Sequence, residues 1–350
     1  MKLLIILLSL ISIVRPPYLK PGDKVAVISP SYAITDSAAL RRGCEVLRSW
    51  GLEPVMGKHV YLDPVKDSCG RLRNVYAGTL EERLEDIRWA YEADSIKAII
   101  CSRGGYGGIQ LLPLLPLSTY SDNPKWLVGY SDITNFIAAS TVAGVMSIHG
   151  NMVGAYGDRK GPDEYSEAVR EMLFGRLPGY SVAHNEHDVP GHAEGTLIGG
   201  NMITLQALLG SAYDPTGLDD VILFFEEVEE SMHAIDRIVN AMAVQGKLRN
   251  VRGIILGEMH KCGQELMLYK DVYEALSQIT STLGIPVCCG FPAGHGEHNM
   301  PLMMGARVSL DVTGEGSVLP YELQRATSSL QSAVSSAGIH WTVSSSEGAS

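Results

Sequence analysis

Short apolar runs alternate along the first half of the chain with segments whose apolar residues recur at helical spacing. The runs predict buried strands at 24–29, 98–101, 126–128 and 145–149. A helix is predicted over 36–50, where the apolar residues share one face, and a second helix begins at a capping box formed by Thr79 and Glu82. Strands that alternate with helices in this way predict a mostly parallel sheet covered on both faces.

The second half of the chain continues the alternation, with more strands than helices. Strands are predicted at 221–225, 253–256, 286–289 and 306–310, a long helix at 232–244 and an entry into a helix at 195–201. The stretch around a predicted helix at 165–174 is polar and rich in Gly and Pro, which is typical of a linker. The chain is therefore predicted to be α/β, with an N-terminal mostly parallel sheet flanked by helices and a smaller C-terminal α/β domain rich in β structure. The predicted parts are an apolar N-terminal segment (1–16), a nucleophile domain (17–155), a linker (156–190), a C-terminal domain (191–324) and a loose tail (325–350).

The stretch 125–136 changes from strand to helix around Ser131. Gly129 permits a sharp turn because it has no Cβ, and Asp132 suits the first turn of a helix, where free N–H groups favour oxygen atoms. A serine in this place can raise its hydroxyl above the sheet as a nucleophile. The alternative is a serine that only caps the helix, because Ile133 stands where the G-x-S-x-G pattern has its last glycine.

Consecutive glycines follow another predicted strand in the turn 103–108. They let a ligand approach backbone N–H groups closely, so one N–H from this turn, at Gly105, and one from Asp132 are predicted to form an oxyanion hole. A tight turn without function is the second interpretation. A dinucleotide loop is the third, because the G-x-G-x-x-G spacing is not matched.

Carboxylates and imidazoles follow strands in the second half. Glu226 and Glu227 end an apolar strand, and because adjacent side chains point to opposite faces only one of them can face a cleft; a solvated strand end is the alternative. His295 lies between glycines after a further strand. A metal site formed with Glu297 and His298 is the alternative for that loop, but the metal-binding helix spacing H-E-x-x-H is absent and no metal is predicted.

Ser131, Glu226 and His295 occur in the order nucleophile, acid and base, each just past a predicted strand. A hydroxyl needs a base to take its proton, and an imidazole needs a carboxylate to fix its tautomer. The sequence can supply all three groups from strand ends. His149 also ends a strand and is expected to be structural or to contact substrate.

Composition narrows the range of partners. The 350 residues are 45% hydrophobic and 19% charged, which is ordinary for a globular protein with a large core. A net charge of -11 argues against nucleic acid and anionic membranes as partners. The six cysteines have neither zinc-site nor disulfide-scaffold spacing, which favours a reducing compartment.

The first residues of the chain, unlike the cysteines, favour export from the reducing compartment. Lys2 followed by the apolar stretch 3–14 resembles a signal segment, although it is short for a membrane span and no small-residue cleavage site follows it. Cytoplasmic location is therefore favoured, with export as the alternative if 1–14 is a signal. No stable membrane insertion is predicted.

The motifs together resemble the LD-carboxypeptidase family of serine peptidases, over about 17–323. In chain order they are L-K-P-G-D at 19–23, S-P-S at 29–31, R-G-G-Y-G at 103–107, G-Y-S-D-I-T at 129–134, H-G at 149–150, G-G-N at 199–201, E-E-V at 226–228, D-R at 236–237 and P-A-G-H at 292–295. The resemblance implies a Ser-Glu-His triad at Ser131, Glu226 and His295, in a two-domain homodimer without a cofactor. It implies cleavage between the L-centre of a diamino acid, either lysine or meso-diaminopimelate, and the terminal D-alanine of murein tetrapeptides in the cytoplasm. Arg103 or Asn201 is expected to hold the carboxylate or backbone of this muropeptide.

The chain departs from the family pattern near the site, which leaves the substrate open. The family commonly has His-Gly-Pro where this chain has Asn151 after His149 and Gly150, Glu-Asp where it has Glu226 and Glu227, and an aromatic residue near His233. One alternative is a peptidase of the microcin C immunity type, which acts on peptidyl or aminoacyl nucleotides. Another is a muropeptide-binding protein without catalytic activity.

Overall fold

The computed structural model describes residues 13–61, 68–69, 75–158, 163–263 and 269–321. Its strands are β1 Lys24–Ile28, β2 Glu53–Met56, β3 Ile96–Cys101, β4 Trp126–Gly129, β5 Ser147–His149, β6 Tyr180–Ala183, β7 Gly191–Asn201, β8 Val221–Val228, β9 Val251–His260, β10 Val287–Cys289, β11 Leu302–Met304, β12 Arg307–Thr313 and β13 Gly316–Leu319. Its α-helices are α1 Ser37–Ser49, α2 Leu80–Glu92, α3 Gly108–Leu111, α4 Ser118–Ser121, α5 Thr134–Val142, α6 Val153–Asp158, α7 Glu164–Leu173, α8 Met202–Gln206, α9 Met232–Val244 and α10 Val272–Thr280. The predicted α/β class is confirmed.

The first sheet has the strand order β11-β5-β4-β3-β1-β2. Its strands are parallel except β11, which runs antiparallel to β5. Apolar residues of β1, β3 and β4 are almost wholly buried, as expected for parallel strands covered by helices on both faces. The capping box of Thr79 and Glu82 forms at the start of α2, as the sequence predicts.

The second sheet has the order β10-β9-β8-β7-β12-β13-β6. The strands β10, β9, β8 and β7 are parallel, and β12, β13 and β6 continue the sheet in antiparallel pairs. Because most strands of this half lie in one sheet, the prediction of a β-rich C-terminal region is confirmed.

Several predicted elements differ from those observed. Residues 195–201 do lead into a helix, α8 at Met202, but they themselves form the end of strand β7, which the sequence pattern does not predict. The stretch predicted as a linker around one helix contains α6, α7 and β6. Strand β11 comes from the C-terminal half yet pairs with β5 of the first sheet, with Leu302 opposite His149.

The ends of the chain are described only in part. Val14 pairs with Val145 beside the first sheet, whereas most of the predicted apolar segment (1–16) and all of the predicted tail (325–350) lie outside the described residues. In the part that is described, no helix is long and apolar enough to cross a membrane.

The topology brings several loops to one place. The turn 103–108 follows β3, the segment at Ser131 follows β4, and Glu226 lies near the end of β8. The loop after β10 carries His295 and then crosses to the first sheet as β11. Carboxyl ends of parallel strands are where sites form in such sheets, so these loops define the candidate site.

Candidate active site

Ser131 occupies a sharp turn between β4 and α5. Its φ is +62°, a left-handed conformation that costs a residue with a side chain about 1–3 kcal/mol and that recurs at active sites. A Cβ added to Gly129 would lie 2.8 Å from Ile133, so the turn needs glycine there. The side chain of Ser131 does not cap the short helical turn or α5, so the interpretation of this serine as an N-cap is wrong.

The carboxylate of Asp132 joins this turn to two other segments. It accepts hydrogen bonds from the Ser31 hydroxyl and from the backbone N–H of Gly108, the latter at 2.7 Å. The amide of Asn135 donates to its other oxygen at 3.1 Å. Burial raises the pKa of Asp132, against the opposing effect of these hydrogen bonds. The Ser131 turn is thus held to the glycine-rich turn 103–108 by buried bonds.

The two turns also touch directly. A Cβ added to Gly104 would lie 2.9 Å from the Ser131 Cβ and 3.4 Å from the Asp132 nitrogen. Gly105 has φ +115°, and a Cβ there would lie 2.4 Å from the Tyr32 ring. The segments predicted to supply oxyanion donors are therefore adjacent, and the oxyanion role of Gly105 and Asp132 stays a prediction.

Glu226 and His295 form a short hydrogen bond. The Oε2 atom of Glu226 lies 2.6 Å from Nδ1 of His295, and the carboxyl side chain is fully buried while the imidazole is 17% exposed. Burial acts to lower the pKa of His295, but the charge and hydrogen bond of Glu226 outweigh it and raise the pKa above its ordinary value. The carboxylate thus fixes the tautomer that keeps a proton on Nδ1 and leaves Nε2 as the basic nitrogen.

Ser131 and His295 line one cavity of about 360 Å³. Arg103 and Gly105 line it too, together with Tyr130, whose ring centroid is 4.9 Å from that of His295. Within the described part of the chain no hydrogen bond joins the Ser131 hydroxyl to the imidazole. Catalytic hydrogen bonds are often long before substrate binds, and two side chains that line one cavity are consistent with a nucleophile–base pair.

The two residues predicted to contact substrate differ in their positions. Arg103 lines the cavity, where its guanidinium donates to the Ala33 carbonyl at 3.3 Å. Asn201 is buried, and its amide donates to Glu227 at 2.7 Å and accepts from the N–H of Thr204 at the start of α8. In this arrangement Asn201 is a helix cap, and a substrate contact for either residue stays a prediction.

Glu227, the next residue of β8, bonds to groups other than His295. Its carboxylate accepts from the Asn201 amide and from the N–H of Ile203 at 2.8 Å, and burial raises its pKa to about 7. Both glutamates are buried, so the alternative of a solvated strand end is wrong.

Two further histidines lie near the site. His149 is fully buried beside the rings of Tyr130 and Phe224, and burial lowers its pKa to about 4. His298 pairs with Glu258 at 2.7 Å. In the described ranges no group of three or more His, Cys, Asp or Glu residues is arranged to hold a metal ion.

Sequence reasoning missed several residues around His295. Glu258 lies beneath the loop, since a Cβ added to Gly296 would lie 2.0 Å from its Oε2. Asn151 and Asn299 share a hydrogen bond of 2.8 Å between residues 148 positions apart. Asn151 stands out in the sequence only as a departure from the family pattern, and only the fold brings it to Asn299.

Known proteins resemble this chain over most of its length. The model of the LD-carboxypeptidase N-terminal domain matches residues 25–150, and that of the LD-carboxypeptidase C-terminal domain matches residues 194–310. A murein tetrapeptide carboxypeptidase of Pseudomonas aeruginosa is 31% identical over an alignment of 310 residues, which covers 82% of this chain and 93% of that protein. The microcin C7 self-immunity protein MccF of Escherichia coli is 27% identical over 83% of this chain and 91% of its own. The crystal structure of a muramoyltetrapeptide carboxypeptidase from Oxalobacter formigenes has a TM-score of 0.74 and 27% identity, covering 85% of this chain and 98% of that one.

Proposed function

This chain belongs to the LD-carboxypeptidase family, and from that membership and the site geometry we propose that it is a serine carboxypeptidase that removes the terminal D-alanine from murein tetrapeptides. The observation that carries the proposal is the 2.6 Å hydrogen bond between the buried Glu226 carboxylate and His295, whose imidazole lines the same cavity as a serine held in a left-handed turn. The relatives named for murein or muramoyl tetrapeptides support the substrate.

In the proposed reaction the Ser131 hydroxyl attacks the carbonyl of the diamino acid. His295 takes the hydroxyl proton on Nε2, and Glu226 stabilises the imidazolium that forms. The N–H groups of Gly105 and Asp132 stabilise the oxyanion. His295 then gives its proton to the amine of the leaving D-alanine, and water hydrolyses the acyl-enzyme by the same steps in reverse.

Arg103 is the residue we assign to the free carboxylate of the terminal D-alanine. Its guanidinium lines the cavity beside Ser131, and a guanidinium matches a carboxylate with two parallel hydrogen bonds. A carboxypeptidase must recognise that terminal charge, so a cation within the cavity is consistent with the reaction.

A second candidate is a peptidase that acts on aminoacyl or peptidyl nucleotides. Tyr32, Tyr76 and Tyr106 form a group of rings next to Gly105, with centroids 5.9 and 6.4 Å apart, and Tyr106 is 49% exposed. Such rings can stack on a nucleobase. The similarity to MccF supports this alternative.

The deciding experiment incubates the purified protein with a murein tetrapeptide and, separately, with a non-hydrolysable and a hydrolysable aminoacyl nucleotide, and follows the products by mass spectrometry. We expect D-alanine release from the tetrapeptide. Binding without turnover would favour the non-catalytic alternative, and turnover of the nucleotide conjugate alone would favour the second candidate.

Ser131→Ala is the matched control for this assay. Because loss of a triad member removes covalent catalysis, turnover should fall on the order of 10⁴-fold or more while tetrapeptide binding remains. Near-normal D-alanine release by this variant would refute the assignment of Ser131. The homodimer and the cytoplasmic location implied by the family are also proposals, which sedimentation and cell fractionation would test.

A further inference from the structure

The loop between β10 and β11, residues 290–301, connects the two sheets. It leaves the second sheet after Cys289, carries His295, and joins the first sheet at Leu302. Ser131 belongs to the first sheet, whereas Glu226, the hydrogen-bond partner of His295, belongs to the second. The separation of nucleophile and base therefore depends on whatever holds this loop to the first sheet.

A pair of buried asparagines makes such a connection. The Nδ2 group of Asn299 donates to Oδ1 of Asn151 at 2.8 Å, and both residues are 4% exposed. The Oδ1 atom of Asn299 accepts from the N–H of Gly294 at 3.2 Å. The Asn299 amide thus bonds with one end to Asn151, just beyond β5 of the first sheet, and with the other to the residue before His295.

Asn151 is linked to the nucleophile through the sheet. It lies two residues beyond His149, which pairs with Gly129 across β4 and β5, and Gly129 is two residues before Ser131. Neighbouring strands of a sheet are fixed in register by their hydrogen bonds. The path from Asn299 to Ser131 therefore contains only buried hydrogen bonds and short pieces of backbone.

Other contacts of the His295 ring do not replace this connection. Among the described residues its side chain has one hydrogen bond, to Glu226, and Glu226 belongs to β8 of the second sheet. This bond therefore does not hold the ring to the first sheet. The Tyr130 ring contacts it at 4.9 Å between centroids, but a tilted ring contact tolerates sliding more readily than a hydrogen bond does. The antiparallel pairing of β11 begins only at Leu302, beyond the asparagine.

We propose that Asn151 and Asn299 are positioning residues that set the reach of His295 toward Ser131 across the two sheets. This inference rests on the proposed function, because it assigns the pair a part in the same reaction. Neither residue touches the reacting atoms. They act through the backbone at Gly294, and their loss should move the imidazole rather than remove it.

The test uses Asn151→Leu, Asn299→Leu and the double variant, because leucine keeps a similar volume and removes the amide. A misplacement of about 1 Å can cost on the order of 100-fold in rate, so we expect kcat to fall about 10- to 100-fold with KM changed less than threefold. If the two amides act as one unit, the double variant should lose no more activity than either single variant. Thermal unfolding monitors the fold of each variant.

An NMR titration of the His295 ring gives a readout that does not depend on turnover. The groups that act on the pKa of this ring are Glu226, through its bond and its charge, and Glu227 through its charge alone; His149 of β5 and Tyr130 also lie near the ring. The bond to Glu226 raises the pKa of His295. Loosening the loop should weaken this bond, so the pKa of His295 should fall in the leucine variants. Folded variants in which both kcat and the pKa of His295 are unchanged would overturn the proposal.

The matched control is Asn123→Leu. Asn123 donates to the Tyr91 carbonyl at 3.0 Å and precedes β4, so it lies at the amino-terminal end of that strand, whereas Ser131 follows the carboxyl-terminal end. It should lose stability with no change in kcat or in the pKa of His295. If the wild-type protein releases no D-alanine, the proposed function fails while the NMR comparison still tests the asparagine pair.

Discussion

The two halves of the candidate site are built in different ways. Ser131 sits in a turn whose shape follows from residues close in sequence, because Gly129 allows the sharp bend against Ile133. Asp132 then bonds this finished turn to Ser31 and Gly108. His295 sits in a loop that owes its position to side chains far away in the chain, namely Glu226, Glu258 and Asn151. The turn of the nucleophile takes its shape from its sequence neighbours, whereas the base depends on side chains far away in the chain even for the course of its loop.

This difference has a physical consequence for substitutions. Changes around Ser131 should act through steric fit, because the turn is packed and its backbone is strained. Changes around His295 should act through single polar contacts and should appear in the titration of the ring. Three substitutions test the distinction, in order of decreasing expected effect.

Glu226→Gln tests the long-range side of the comparison most severely. The amide keeps the shape but can present the wrong group to Nδ1, and it removes the charge that stabilises an imidazolium, so kcat should fall on the order of 10³- to 10⁴-fold. Because Glu226 raises the pKa of His295 and the neutral ring is the base, the acid limb of kcat/KM should move to lower pH in the variant. A pH–rate profile of the residual activity measures both.

Glu227→Gln is the matched control, one residue along the same strand and equally buried. Its side chain faces Asn201 and the start of α8, so it should alter stability far more than kcat. Equal losses of kcat in the two variants would mean that charge on β8, rather than the bond to His295, supports activity.

The local half of the site is also the half that could be predicted from the sequence. The strand β4, the glycine at 129 and the helix that follows are visible as a change of hydrophobic period, and the turn forms where that change occurs. The pairing of Glu226 with His295 could be proposed only from chain order and family resemblance. Spacing alone cannot show that residues 69 positions apart will meet.

The rest of the site depends on topology that periodicity does not encode. β11 is a three-residue strand, too short to show alternation, and its pairing with β5 brings Asn299 to Asn151. Residues 195–201 contain two consecutive glycines, at 199 and 200, with positive φ, and such residues do not show in the sequence that this entry into α8 is the end of a strand. Glycines at these positions reflect close approach of Phe224 and Thr134, which only the folded chain shows.

Gly105→Ala tests the steric side of the comparison. The new methyl group would meet the Tyr32 ring at 2.4 Å in a backbone with φ +115°, so the turn must shift. If its N–H is an oxyanion donor, kcat should fall on the order of 10²- to 10³-fold while the pKa of His295 stays as in the wild type. Steady-state kinetics together with the ring titration separate the two effects.

Gly210→Ala is the control for this change. Gly210 also has a positive φ, of +80°, but a Cβ there would meet nothing within 4 Å, so the strain is similar and the site is untouched. Its kcat should match the wild type. A Gly105→Ala variant with full activity would show that this N–H is not a donor to the oxyanion.

Glu258→Gln should have the smallest effect and sharpens the comparison within the His295 loop itself. Glu258 bonds to the ring of His298 at 2.7 Å, but His298 is 49% exposed, and ion pairs near water contribute little. Glutamine keeps a similar volume beneath Gly296 and an oxygen that can accept from His298, so kcat/KM should fall only about two- to threefold, with a matching small change in the pKa of His295. Gly296→Ala, which would place a Cβ 2.0 Å from Oε2 of Glu258, should displace the loop and cost more activity than the charge change does. If Glu258→Gln were instead as damaging as Glu226→Gln, the outer carboxylate would be holding the base, and the buried contacts to Glu226 and Asn151 would not be what positions it.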